Sequence, residues 1–254
     1  MKKELSPPLK WAGGKRWLLP FLKELYIPGT RLVEPFVGAM AVSLGLAPKY
    51  ALLNDINPHL INFYNYLKSG LKIRADFKNE KDFFYESRQE FNSISSSNKR
   101  KAELFYYLNR TAYNGLCRFN KSGLFNVPFG SYKKISYTKD FSDYKLHLKN
   151  WTFLNKDFEA LPIKRNDFIY VDPPYDVEFT SYSKDAFKWT DQLRLVDWLL
   201  QFDQPIVASN QATTRIIKLY KKAGFDLKII TAPRMISCNG DRCPAKEIIA
   251  TKNL

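Results

Sequence analysis

Short apolar runs alternate with polar, helix-spaced stretches along most of the chain. Arg31-Leu32-Val33-Glu34-Pro35-Phe36 reads as a short buried strand that Pro35 closes. Val37-Gly38-Ala39 reads as a tight turn and Met40 to Leu46 as a short helix ending near Pro48. Tyr50-Ala51-Leu52-Leu53-Asn54-Asp55 reads as a second buried strand. Strand, glycine turn, helix, strand predicts a parallel pair joined by a crossover. Further along, Asp167 to Val171 and Pro205 to Ser209 read as strands, Asp191 to Phe202 as an amphipathic helix, and Arg215 to Lys222 as a helix stopped by Gly224. Leu227 to Thr231 and Glu247 to Thr251 read as strands around a polar hairpin, Ser237 to Cys243. Alternation of this kind predicts an α/β sheet.

The middle of the chain carries a different period. Phe83, Phe84, Tyr85, Arg88 and Phe91, then Ala102, Leu104, Phe105 and Leu108, recur at helical spacing, with Ser95 to Asn98 as the loop between them. This predicts a helical insertion between the two parts of the sheet. No internal repeat and no Gly- or Pro-rich linker divides the 254 residues, so the length suits one large domain or one and a half.

Composition narrows the partner. Lys plus Arg is 40 against 25 Asp plus Glu, a net charge of +15, and 15 Tyr and 19 Phe accompany it. Basic charge with abundant rings suits nucleic acid better than a membrane surface, because bases stack on rings. A bias toward solubility would give the same charge. No stretch reaches the roughly 18 apolar residues of a membrane helix, and the start, Met1 to Pro8, lacks the apolar run of a secretory signal. The three cysteines, Cys117, Cys238 and Cys243, form no CxxC pair, and only His59 and His147 could join them. A structural zinc site is not expected, and the odd count fits a reducing cytoplasm.

Two segments carry candidate chemistry. In the first, Phe36 and Gly38 lead from a strand into a helix, and Asp55 ends the next strand 21 residues after Glu34. In nucleoside-binding α/β folds such a glycine lets the ligand approach the backbone, and an acid about 20 residues on binds ribose hydroxyls. An ordinary turn and a solvated acid would look the same. The second segment is Asp172-Pro173-Pro174-Tyr175, directly after an apolar strand. It sets a carboxylate, stiffened carbonyls and a ring at the sheet edge where open α/β folds bind ligands.

Asp172 to Tyr175 resembles the catalytic motif of exocyclic-amine methyltransferases that use S-adenosylmethionine. Leu9-Lys10-Trp11-Ala12-Gly13-Gly14-Lys15 and Glu34-Pro35-Phe36-Val37-Gly38 resemble the N-terminal and glycine motifs of the DNA adenine methylase (Dam) family. Arg110 to Asn120 and Gly123 to Gly130 resemble its DNA-reading segment. The resemblance covers nearly the whole chain in the family's alpha order: glycine motif, target recognition, catalytic motif. It implies a Rossmann-like methyltransferase sheet, mixed and seven-stranded with a late β-hairpin, over residues 1–56 and 145–254. A helical target-recognition domain over 57–144 would be inserted.

The resemblance also implies site residues. Trp11, Lys15, Glu34, Phe36, Gly38, Asp55 and Asp172 would line the cofactor site, which S-adenosylmethionine enters and S-adenosylhomocysteine leaves, with no metal. Lys15 could equally be a phosphate contact or a surface lysine. Asp172, Pro173 and Tyr175 would be catalytic: the Asp172 carboxylate and the Pro173 carbonyl accept the two amino hydrogens of adenine N6, and Tyr175 stacks on the base. Lys10, Leu116, Arg118 and Pro128 match residues that contact the bases of GATC, and Asn126 lies among them. Tyr113 and Asn114 match positions linked to flipping, although Tyr113 could be a core aromatic. Arginine and lysine can read guanine O6 and N7 or merely grip phosphate. The family commonly has a second glycine where Met40 stands, so Met40 either crowds the cofactor or points into the helix core. The expected partner is double-stranded DNA, the expected state a monomer, and the expected place the cytoplasm of a bacterium, nucleoid-associated or phage-encoded. RNA adenine, cytosine N4 or a protein amide as substrate, and a DNA-binding relative with a vestigial pocket, are the rival readings.

Overall fold

A computed structural model describes residues 5–135, 137–175, 187–232 and 245–254. Its centre is a seven-stranded sheet of β1 (Arg31–Glu34), β2 (Ala51–Asn54), β3 (Trp151–Leu154), β4 (Asp167–Val171), β5 (Ile206–Gln211), β6 (Asp226–Ala232) and β7 (Ala245–Lys252). The spatial order is β3-β2-β1-β4-β5-β7-β6. The first five strands in that order are parallel, and β7 runs antiparallel to both β5 and β6. The mixed sheet with its late antiparallel pair is the fold the resemblance implies. The Ser237 to Cys243 hairpin, with Cys238 and Cys243, lies outside the described residues.

The central strands are apolar without alternation because both faces are covered. Successive residues of β1 enter different cores: Leu32 joins an apolar cluster with Leu53, Phe168, Tyr170 and Val207, while Val33 joins one with Leu52, Ile169, Val171 and Ala208. Helices α1 (Leu19–Leu25), α2 (Ala41–Leu46), α3 (Pro58–Lys68), α4 (Lys81–Ser93), α5 (Lys99–Thr111) and α6 (Ser142–His147) add to the first cluster. Helices α7 (Trp189–Leu199) and α8 (Thr214–Lys222) supply the second.

Local signals explain the boundaries. Asn57 caps α3 by accepting from the backbone of His59 and Leu60, with Pro58 at the first helical position. Asn98 caps α5 through Lys101 N at 2.8 Å, so the expected loop before it ends in a helix start. Pro35 ends β1 at Glu34, two residues earlier than the apolar run suggests. The helix expected from Met40 begins at Ala41, because Met40 itself sits at φ +60°. The α7 helix starts earlier and ends earlier than expected, with the Lys188 backbone N–H donating to Asp191 at 2.8 Å. β3 is an element the apolar pattern did not single out.

Strand order reverses at β1, whose neighbours are β2 and β4. The carboxyl ends of β1 and β4 therefore diverge into a crevice at a topological switch point. Both candidate segments, Glu34 to Gly38 and Asp172 to Tyr175, leave the sheet there.

Candidate active site and nucleic-acid interface

The crevice is a cleft of about 1390 Å³. The N-terminal stretch from Lys10 to Trp17 walls it on one side, and Glu34 to Ala39, Asn54 to Ile56 and Asp172 to Tyr175 form its floor and far wall. Every residue expected at the cofactor site or in catalysis lines it.

Lys15 is 3% exposed, which removes its reading as a surface or phosphate-gripping lysine. Its Nζ lies 3.0 Å from Asp172 Oδ1 and donates to the Gly13 carbonyl at 2.8 Å. The ammonium also sits 4.8 Å from the Tyr175 ring centroid, within cation–π range. Ser209 on β5 donates to the same Asp172 oxygen at 2.9 Å and pairs with the Tyr170 hydroxyl at 3.0 Å. Burial pushes the Asp172 carboxyl up from its ordinary value, while the charge and hydrogen bond of Lys15 and the Ser209 hydroxyl pull it back. Glu247, delivered by β7, approaches Lys15 at 3.9 Å.

Across the cleft, Asp55 accepts from Asn57 N at 3.0 Å and from Gly38 N at 3.2 Å. Burial raises its pKa to about 6, against the pull of those two N–H groups. Gly38 has φ +46°, and a Cβ there would meet Trp11 Nε1 at 3.1 Å, so the glycine both permits the left-handed turn and leaves room for the indole. Glu34 is 2% exposed, and its Oε1 is buried without a hydrogen-bond partner among the described residues. Burial lifts its pKa to about 8. Met40 also occupies the left-handed region, which explains why glycine suits this position: a side chain there costs about 1–2 kcal/mol. The Met40 side chain is fully buried in the first apolar cluster and does not line the cleft. It points into the core, not at the cofactor space.

The DNA-reading candidates cluster on one segment. Tyr113 and Asn114 are exposed at a turn after α5, with Asn114 at φ +52°, so Tyr113 is not a core ring. Residues 118–126 form a small antiparallel turn, bridged between Phe119 and Phe125. Across it Arg118 Nε donates to Asn126 Oδ1 at 3.0 Å. Pro128 is exposed, Leu116 half-buried. The backbone here is fixed from α4: Asn92 donates to the Phe125 carbonyl at 3.1 Å and accepts from Phe125 N at 2.9 Å, and Arg88 donates to the Val127 carbonyl at 3.2 Å.

Lys10 ties this segment to the cleft. Its backbone N donates to Asn109 Oδ1 at 2.8 Å, and Asn109 Nδ2 donates to the Lys10 carbonyl at 2.7 Å. Its ammonium donates to the Arg110 carbonyl at 3.1 Å and lies 3.8 Å from the Tyr132 ring centroid. Burial, then the charge of Arg110, lowers the Lys10 pKa. Gly115, at φ +64°, leaves room for the Lys10 stem, since a Cβ there would meet Lys10 Cδ at 2.5 Å.

Sequence reasoning missed several residues of this site. Asp157 and Phe158 line the cleft, and an acid followed by a ring was the available signal. Ser209 and Glu247 carried none, because strand order alone brings them to Lys15 and Asp172. Tyr132 likewise has meaning only once Lys10 is seen against it. Cys117 is half-buried with its thiol pushed up by burial, which suits an unreactive thiol. Among the described residues no cluster of His, Cys, Asp and Glu could hold a metal ion, and no helix is long and apolar enough to cross a membrane.

A doubly wound sheet with a late antiparallel strand and a crevice at the β1/β4 switch point defines a Rossmann-like α/β protein with its ligand site at the carboxyl ends of the strands. Residues 11–236 match the D12 class N6 adenine-specific DNA methyltransferase family, and the chain belongs to it. It is 36% identical to the retron Ec67 DNA adenine methylase of Escherichia coli, over 97% of this chain and 91% of that one. It is 37% identical to a DNA adenine methylase of Vibrio cholerae, over 91% and 90%. The type II methyltransferase M.MjaIII of Methanocaldococcus jannaschii is 34% identical, over 94% and 95%. The protein is an adenine-specific DNA methyltransferase.

Proposed function

We propose that this enzyme takes the methyl group of S-adenosylmethionine and places it on N6 of an adenine flipped out of double-stranded DNA, within GATC. The observation that carries the reading is the pair of buried Lys15 and half-buried Asp172 at 3.0 Å, set at the end of β4 in a cleft large enough for a nucleoside and a base.

The residues present fit the cofactor. The unpartnered Glu34 Oε1 is suited to a cationic donor such as the amino group of the methionine moiety. Trp11 offers an indole face to a sulfonium, and Asp55 is an acceptor for ribose hydroxyls. When bound, the cofactor supplies an electrophilic methyl group. The protein's own work is on the amine. Adenine N6 is a weak nucleophile because its lone pair is delocalised into the ring. Two fixed acceptors, the Asp172 carboxylate and the Pro173 carbonyl, hold its hydrogens and favour the tetrahedral nitrogen of the transition state. Lys15 and Ser209 keep the carboxylate in place before the base arrives, so little reorganisation accompanies the transfer. The methyl group the bound donor would supply goes to N6, and the extra proton on N6 then passes to the Asp172 carboxylate that already accepts from it.

A stacked adenine cannot reach Asp172, so the base leaves the helix at a cost of a few kcal/mol. Tyr113 and Asn114, both exposed, would fill the gap. Lys10 and Arg118, with Leu116, Asn126 and Pro128, read the bases, and residues 57–144 form the recognition domain inserted in the catalytic domain of 1–56 and 145–254. The enzyme acts as a monomer.

The test is methyl transfer from labelled S-adenosylmethionine to two short duplexes, one with GATC and one with GTAC. Transfer to N6 in GATC alone is the expected result. Equal transfer to both overturns the specificity, and transfer to RNA or to cytosine N4 in place of adenine overturns the substrate.

A further inference from the structure

The tetrapeptide Asp172 to Tyr175 is held at two points, by Ser209 of β5 and by Gln192 of α7, which the next β5 residue backs. Ser209 holds the Asp172 side chain at 2.9 Å. The next residue, Asn210, points to the opposite face of the strand, where its Nδ2 donates to Gln192 Oε1 on α7 at 3.0 Å. Gln192 Nε2 then donates to the Pro174 carbonyl at 2.9 Å. Gln192 and Asn210 are 1% and 0% exposed. Asn210 Oδ1 is taken by the backbone N–H of Gln211 at 2.8 Å. Two primary amides this deep hold a single arrangement when so partnered.

Between the two grips lies Pro173, whose carbonyl is the second acceptor for the adenine amine. Both prolines have φ locked near −65°. With that φ locked, ψ of Pro174 is the one soft torsion left between the anchored Pro174 carbonyl and the peptide plane that contains the Pro173 carbonyl, so anchoring the first narrows the range of the second. We propose that Gln192, backed by Asn210, is a positioning residue that sets the direction of the Pro173 carbonyl for the methyl-transfer step. The inference rests on the reading of Asp172 and Pro173 as the two acceptors.

The test is single-turnover methyl transfer at saturating DNA and S-adenosylmethionine, normalised to active sites, with DNA affinity and thermal melting measured alongside. Gln192→Leu keeps the volume and removes both hydrogen bonds. Its transfer rate should fall roughly 10- to 100-fold, as misplacement of a reacting group does, with DNA affinity little changed. In Gln192→Glu the carboxylate cannot donate to Pro174, whereas the neutral acid can. Its deficit against the native enzyme should shrink as pH falls, a rescue that a purely structural role would not produce. Native transfer rates in folded Gln192→Leu, or a Gln192→Glu deficit that ignores pH, would overturn the proposal; if the leucine variant does not fold, the glutamate profile decides alone. Asp172→Ala separates the two readings. Retained transfer in that variant sinks the acceptor mechanism itself, while its loss alongside unaffected Gln192 variants sinks only the present inference.

Discussion

At the sheet edge, Lys15 and Asp172 meet as an ion pair with the lysine 3% exposed, and every polar neighbour is already in place. On the segment from Tyr113 to Pro128 the arrangement is reversed. There Asn92, Arg88 and the Phe119–Phe125 bridge immobilise the main chain, while Tyr113, Asn114, Arg118 and Pro128 face solvent. The difference suits the roles proposed for the two regions. Stabilising a transition state requires dipoles fixed in a low dielectric before the reaction. Reading bases requires donors that stay hydrated until DNA displaces the water, on a backbone stiff enough to keep register.

The largest effect should come from breaking the buried side. Asp172→Ala removes one of the two proposed acceptors, and methyl transfer should fall at least about 10²- to 10³-fold, with DNA binding retained in a gel-shift assay. Unchanged transfer would mean that the buried pair is structural. On the solvent-facing side, Arg118→Ala should leave the transfer rate on GATC far less affected but lower discrimination against a changed base pair by about 1–3 kcal/mol. Comparing kcat/KM on cognate and single-substituted duplexes reads this directly. A uniform loss on all duplexes would reassign Arg118 to the phosphates.

The smallest effect sharpens the comparison through pH. Glu34, raised to about 8 by burial, and Asp55, raised to about 6, bind protons more tightly folded than unfolded. Their contribution to stability is therefore greatest at low pH. It declines from the ordinary carboxylate range up to about 6 for Asp55 and about 8 for Glu34. Glu34→Gln should flatten the fall of Tm across the upper part of that window, by roughly 2–4 °C for each kcal/mol recovered. Melting curves for the two proteins at several pH values, without ligand, would show an unaltered slope if Glu34 does not titrate in its burial site.

The parts of this architecture that were legible in the sequence are those specified locally. Leu32-Val33-Glu34 closed by Pro35 and a turn at Gly38 is a self-contained signal, as is Asp172 to Tyr175 after an apolar strand. The helical periods of α4 and α5 needed only their own residues. Trp151 to Leu154 is hidden because an edge strand of four residues, buried only at alternate positions, looks like any polar stretch with two rings. The environment of Asp172 was illegible for another reason: Lys15, Ser209 and Glu247 come from three distant segments, and β7 reaches Lys15 only because it inserts antiparallel between β5 and β6. Lys15 read equally well as a surface charge until its burial was seen. The Met40 ambiguity was likewise geometric, settled by a left-handed backbone that turns the side chain into the core.

The Asn109 clasp on Lys10 has a consequence for how such enzymes can be recombined. A cassette spanning 57–144, grafted from a relative that reads another site, would carry Asn109 and Tyr132 but leave their counterpart, Lys10, behind in the recipient. One residue further along lies Trp11, packed over Gly38 at the mouth of the cleft. On the proposed reading, sequence choice would be inherited on two separated stretches of chain, the shorter one shared with the proposed methyl-donor pocket. A chimera would then have to exchange both, and a lineage drifting toward a new site would carry the Trp11 wall of the cleft along with it.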